Sequence, residues 1–170
     1  MLRVGAVAVA GLLAGCQSQT VKLESAFDPK AAELIRKDGE GRIDGHAFIK
    51  RFNGKVTHAA GDAVYLIPAT AYAKERFDRL YAGRKFKPAT NFTKVADDDP
   101  RFAEFMRRTK AESSGRFSFD KVAPGSYFIA TTVTWQDTPD SHFARGGAIY
   151  ETVTLTGKED KPVKVIVNGF

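Results

Sequence analysis

The chain has 170 residues, 43% of them hydrophobic and 13 of them phenylalanine, enough to fill one packed domain and too apolar for a wholly disordered chain. The formal charge is +6, but the basic residues are scattered, with denser runs only at Arg84-Lys85-Phe86-Lys87 and Arg107-Arg108. That distribution argues against a nucleic-acid partner, which calls for a basic stripe or helix, and fits a solvated surface.

Residues 4–14 are all apolar or glycine and follow a short positive start, Met1-Leu2-Arg3. The run is too short to cross a bilayer as a helix, which takes roughly 20 apolar residues, and fits the core of a secretory leader. Behind it stand Leu13-Ala14-Gly15 and then Cys16, the only cysteine, which cannot form an internal disulfide. This quartet resembles the lipobox of bacterial lipoproteins. The resemblance implies that residues 1–15 are a removed signal peptide and that the Cys16 sulfur carries a diacylglyceryl group. It also implies that the new amino terminus carries a further acyl chain such as palmitate. Two or more chains anchor stably, at ~0.8 kcal/mol per buried methylene. The protein is then expected in the cell envelope, held by lipid alone. Gln17 after the cysteine, rather than aspartate, favours the outer membrane if the cell is Gram-negative.

Residues 16–41 read as a polar tether and a short helix. Asp28 suits an N-cap, Pro29 a first turn and Gly39 a C-terminal stop, with Ala31, Leu34 and Ile35 as a narrow apolar stripe, so the expectation is a helix over 29–38. From Arg42 the period changes to two. "RIDGHAFIKRFNGKV" reads as two short strands around the hairpin signal Asn53-Gly54. "DAVYLIP" is a third strand, with Val64 and Leu66 on one face, Tyr65 and Ile67 on the other, and Pro68 ending it or placing it at an edge. "TAYAKERFDRLYAG" switches to helical spacing, with Thr70 as cap, Ala73, Phe77, Leu80 and Tyr81 on one face and Gly83 as stop. Residues 84–100 show no period and read as a long loop. Residues 101–112 fit either a helical turn, from Phe102, Phe105 and Met106, or a strand after Arg107.

Beyond Ser114 the alternation is clearest. Phe117 and Phe119 share a face. Tyr127, Ile129, Thr131, Val133 and Trp135 share another, with Phe128, Ala130, Thr132 and Thr134 opposite. A polar loop over 136–147 leads to two more alternating strands, "AIYETVTLT" and "PVKVIVN". About seven short, β-branched, half-buried strands predict a mainly β fold, a two-sheet antiparallel β-sandwich.

Three segments, "GKVTHAAGDAVYLIPAT", "SSGRFSFDKVAPGSYFIATT" and "YETVTLT", resemble the carboxypeptidase regulatory-like domain. Its pattern falls on Gly54 and Val56, on Val64 and Leu66, and on Gly115, Phe117, Phe119, Val122, Pro124, Gly125 and Tyr127. The likeness covers residues 43–67 and 113–167. It implies a transthyretin-like (prealbumin-like) sandwich over 42–170, with a helical insertion at 70–110. These are core and turn positions, with Pro124-Gly125 suited to a type II turn, so they speak to fold more than to function. Domains of this family are usually noncatalytic accessory or adhesive modules, and the zinc-peptidase motif H-x-x-E does not occur here.

The chemistry-bearing residues are few. His46 and His58 fall on or beside the first hairpin and could join His142 in a three-histidine metal site, but no ligand spacing supports one. "KDGEGRIDG" fails as a calcium loop, because its first and last ligand positions are Arg36 and Ala47. Asp97-Asp98-Asp99 reads as a solvated acidic turn. No G-x-S-x-G occurs. Among the aromatics, Tyr72, Phe77, Tyr81, Phe86 and Phe92 lie in the insertion. Trp135, His142 and Phe143 stand at the polar loop and are the candidate binding residues. The resulting expectation is a lipid-anchored, noncatalytic binding or accessory module without cofactor or metal. Its partners are the membrane and a protein or envelope polymer. The rival is a periplasmic small-ligand or metal-binding protein with weak hydrolytic activity.

Overall fold

The structure is a computed structural model that describes residues 19–138, 140–141 and 144–170. Cys16, His142 and Phe143 lie outside the described residues. Strand β1 (Thr20–Val21) comes first, then helix α1 (Pro29–Ala32), which a 3-10 turn, Glu33–Arg36, extends. Asp28 caps α1 as expected, its carboxylate accepting the Lys30 N–H at 2.9 Å. The helical stretch ends sooner than 38, at the cap Lys37. Gly39 is not its stop. It lies inside strand β2 (Asp38–Lys50), where a Cβ would overlap the Val122 carbonyl. The sandwich thus begins before Arg42.

Strand β2 pairs with β3 (Val56–His58) through the expected hairpin, with Gly54 at φ 81. Strand β4 (Ala63–Pro68) and helix α2 (Ala71–Tyr81) follow, the Thr70 hydroxyl accepting the Ala73 N–H. Ala82, one residue before the expected Gly83, takes the left-handed conformation that ends α2. Residues 84–112 are more ordered than a loop. They form β5 (Phe86–Pro88), β6 (Lys94–Val95), a 3-10 turn at Pro100–Phe105 and β7 (Arg107–Lys110). Both alternatives for 101–112 are therefore realised in succession. Strands β8 (Arg116–Val122), β9 (Gly125–Trp135), β10 (Arg145–Leu155) and β11 (Val163–Val167) complete the chain.

The fold is a β-sandwich. One sheet has five strands in the order β5-β10-β9-β4-β7, all antiparallel. The other has four: β2 runs beside β11 on one edge and beside β8 and then β3 on the other. One pairing departs from the antiparallel expectation, because β11 runs parallel to β2. The facing sides interdigitate as the alternation requires: Ile43, Val64, Leu66, Tyr127, Ile129, Val133, Ile149 and Val167 are essentially inaccessible. Phe117 and Phe119 fill the same layer, and the buried Tyr127 hydroxyl donates to the Ala123 carbonyl at 2.8 Å.

Segment 70–110 is a working part of the sandwich rather than an appendage. Its strands β5 and β7 close the two edges of the five-stranded sheet, and α2 packs on that sheet's outer face, with Phe77 stacked on Phe128 at 4.4 Å. Two glycine expectations also change. Strand β10 reaches back to Arg145, into the expected loop, because Gly147 sits so close to the Lys87 carbonyl that no side chain fits. Gly125 has φ 154, far from the ~80° of a type II turn, so the β8–β9 connection is of another kind.

The expected tether is likewise fastened to the body where it is described. Strand β1 pairs in parallel with β6, and the Glu75 carboxylate accepts the N–H groups of Glu24 and Ser25, both at 2.8 Å. Phe27 is buried edge-on against Tyr72, Phe102 and Phe105.

Candidate functional site

Helix α2 covers only part of the five-stranded sheet's outer face. Phe77 and Tyr81 seal Phe128 and Tyr150 beneath the helix. Where the helix stops, the next cross-strand row lies open: Arg108 on β7, Tyr65 on β4 and Ala130 on β9 stand side by side. Thr132 on β9 faces Ala148 on β10 one step further along. The small side chains Ala130, Thr132 and Ala148 make a floor between two tyrosines, Tyr65 and Tyr81. The result is a cleft of about 530 Å³, with Asp62 at its end. That volume lies within the roughly 300–1,000 Å³ of small-molecule sites.

The polar groups of this cleft differ from those elsewhere in the protein. The side chains of Asp62, Tyr65, Tyr81, Arg108 and Thr132 make no hydrogen bond or ion pair with another described residue. Elsewhere arginines are mostly occupied: Arg42 holds Asp44 and Asp120, Arg101 holds Asp99 and Arg145 holds Asp137. Burial, and secondly Tyr150, push the Tyr81 phenol well above its ordinary value, so it stays a donor. The cleft therefore offers phenol hydroxyls, a guanidinium, a hydroxyl and one carboxylate around an aromatic and methyl surface.

A second hollow, of about 330 Å³, lies between residues 22–27 and 96–101. Most of its polar groups are committed, the exceptions being the Lys22 and Asp97 side chains, which make no hydrogen bond or ion pair with another described residue. Tyr72 donates to Asp98 at 2.6 Å, and Asp99 accepts the Arg101 N–H and holds its guanidinium. The acidic run is an exposed turn at Asp97 and Asp98, as expected, and Asp98 and Asp99 also fasten it to Tyr72, Arg76 and Arg101. Arg101 beside it, chiefly by hydrogen bonding, holds the Asp99 carboxyl below the usual range.

Of the residues singled out in the sequence, Trp135 lies apart from the cleft. It shares the inward parity of Val133, on the opposite side of β9 from Thr132. Its ring is covered by the Arg51 guanidinium at 4.3 Å, and its N–H donates to Asp137. His46 and His58 do meet: His46 Nε2 lies 3.2 Å from His58 Nδ1 and 2.9 Å from the Ser114 carbonyl. Among the described residues, no three His, Cys, Asp or Glu side chains gather as a metal cage. Tyr72, Phe77 and Tyr81 are buried, whereas Phe92 is exposed. Sequence reasoning missed Tyr65, Arg108, Ala130, Thr132 and Ala148. The available signal was small outward residues, Ala130 and Thr132 opposite Ala148, in strands otherwise rich in large ones.

No family model matches the sequence, and no curated protein matches it. Among solved structures, the chain is similar to a candidate carbohydrate-binding protein from Pseudomonas aeruginosa. The two are 27% identical, with a TM-score of 0.66, over 85% of this chain and 98% of the other, a likeness compatible with a binding module.

Proposed function

We propose that this protein is a lipid-anchored envelope lipoprotein whose carboxypeptidase-regulatory-like sandwich binds carbohydrate, without cleaving it, in the cleft beside α2. The observation that carries the reading is the set of unpaired polar side chains around Tyr65. A sugar ring presents C–H bonds on its faces, which suit the negative face of an aromatic ring. Its edge hydroxyls both donate and accept, and Arg108, Asp62, Thr132 and the two phenols can meet them. The solved relative from Pseudomonas aeruginosa supports the same class of ligand. Hydrolysis of glycosidic bonds canonically takes two flanking carboxylates, and Asp62 is the single carboxylate among the described cleft residues. Calorimetric titration with a panel of neutral and anionic oligosaccharides tests the reading. Binding should fall at least about tenfold in Tyr65→Ala, a loss of about 1.4 kcal/mol, and the sugar should be recovered intact. No binding across the panel, or an unaffected variant, overturns it. For the anchor, radioactive palmitate should label the wild type and not Cys16→Ser; equal labelling contradicts it.

The imidazole pair favours a second reading, metal binding. The 3.2 Å between His46 Nε2 and His58 Nδ1 is close to the ~3.3 Å edge of a zinc tetrahedron with Zn–N near 2.0 Å, and a metal there would have to displace the 2.9 Å hydrogen bond from His46 Nε2 to the Ser114 carbonyl. Zinc titration of protein without a histidine tag separates the readings. Stoichiometric uptake lost in His58→Ala supports the second; none contradicts it.

A further inference from the structure

We infer that the β1–β6 edge, with Phe92 at its tip, is the surface that lies on the membrane, seated among phospholipid headgroups. The inference rests on Cys16 carrying lipid, as proposed above.

Gln19 is the first described residue, and its carbonyl already accepts the Lys94 N–H at 2.9 Å. Two residues on, the Val21 carbonyl accepts the Ala96 N–H at 2.8 Å. Glu75 and the Phe27 cluster then hold the chain down over its next turns. Only Gln17 and Ser18 stand between Cys16 and this fastened stretch. Three residue steps reach at most ~11 Å. The headgroup layer on each side of a bilayer is itself about 5–8 Å deep. A lipid on Cys16 thus leaves no slack for the body to stand clear, and the backbone beside Lys94 is drawn to the headgroups.

What the fold exposes at that place suits a lipid surface. Strands β1 and β6 run parallel, with Thr20 opposite Lys94. The end of β1 that leads back to Cys16 is therefore the end at which Phe92 precedes Lys94. Phe92 is 58% exposed, and Lys94 is exposed beside it. The loop that presents Phe92 is braced. The Asn91 side chain accepts the Thr93 N–H at 2.9 Å, and Lys87 Nζ donates to the Thr93 carbonyl at 2.8 Å. An aromatic ring flanked by an ammonium group is the pairing that settles at an anionic interface, the ring below the headgroups and the charge among them. A lone exposed phenylalanine calls for no explanation; this one stands where the chain leads back to its anchor.

The test uses the lipidated full protein. In it the Cys16 sulfur is a thioether, so one introduced cysteine takes an environment-sensitive nitrobenzoxadiazole label. Phe92→Cys and, at the tip of the β2–β3 hairpin, Asn53→Cys are labelled and placed on phosphatidylethanolamine–phosphatidylglycerol vesicles. Emission at position 92 should rise about twofold and be quenched by spin-labelled lipid, while position 53 stays as in water. Mass spectrometry reports the lipid on Cys16. A lipidated protein with position 92 in water overturns this inference alone. So does a rise that follows protein density on the vesicle rather than lipid, which marks contact between copies. A bare Cys16 overturns the anchor reading and takes this inference with it.

Discussion

Strand β9 carries two different surfaces on alternate residues. Its inner side, Tyr127, Ile129, Thr131 and Val133, is sealed between the sheets. Its outer side is divided: Phe128 lies under Phe77 of α2, whereas Ala130 and Thr132 lie bare in the cleft. One rule, a period of two, builds both sides. The division of the outer side comes from elsewhere, from the left-handed Ala82 that stops the helix before it covers Ala130. The packed core and the proposed binding surface therefore occupy neighbouring residues of one strand, separated by where a helix ends.

Substitutions along β9 and its neighbours should reproduce that division. Ile129→Ala, at a site with no accessible surface, should cost about 4 kcal/mol in urea unfolding, because the rigid sheets cannot close the hole. A cost near zero would mean that the inner side is not a packed core. Phe77→Ala should cost about 3 kcal/mol, since α2 can settle partway onto the sheet. In the bare half, Tyr65→Ala and the cleft-filling Ala130→Leu should each stay within about 1 kcal/mol of the wild type, yet lose oligosaccharide binding. Equal stability losses on both halves of the outer side would erase the distinction.

Acid should loosen the strap that leads into α2. The backbone N–H groups of Glu24 and Ser25, in that order, hold the Glu75 carboxyl below its ordinary 4.5. A depressed carboxylate stabilises the fold above the unfolded value, and that contribution is lost as pH falls through the folded one. Hydrogen exchange at Glu24 and Ser25 should therefore speed up relative to β9 amides below pH 4.5, and Glu75→Gln should remove the pH dependence. This is the smallest of the expected effects.

The sequence reads clearly wherever packing imposes a period. The strands from β8 to β11 and the apolar face of α2 follow from their alternation, and the two histidines meet because one hairpin brings them together. Strands β5 and β7 were illegible for a physical reason. "FKP" and "RRTK" are short, half-solvated sheet edges with no buried side to mark. Gly146-Gly147 resembled a loop, although inside β10 the first takes a left-handed φ of 84 and the second is required by close approach to the Lys87 carbonyl. The cleft was hidden because it is shared out among α2, β4, β7, β9 and β10. The bare alanines on its floor carry meaning only once Tyr81 and Arg108 are known to flank them.

Carbohydrate binding at the cleft can be read most directly from amide chemical shifts during an oligosaccharide titration. Saturable shifts should gather at residues 61–65, 130–132 and 148, and should vanish in Tyr65→Ala. Shifts gathered instead around Trp135 and residues 136–147, with the cleft amides unmoved, would contradict the account.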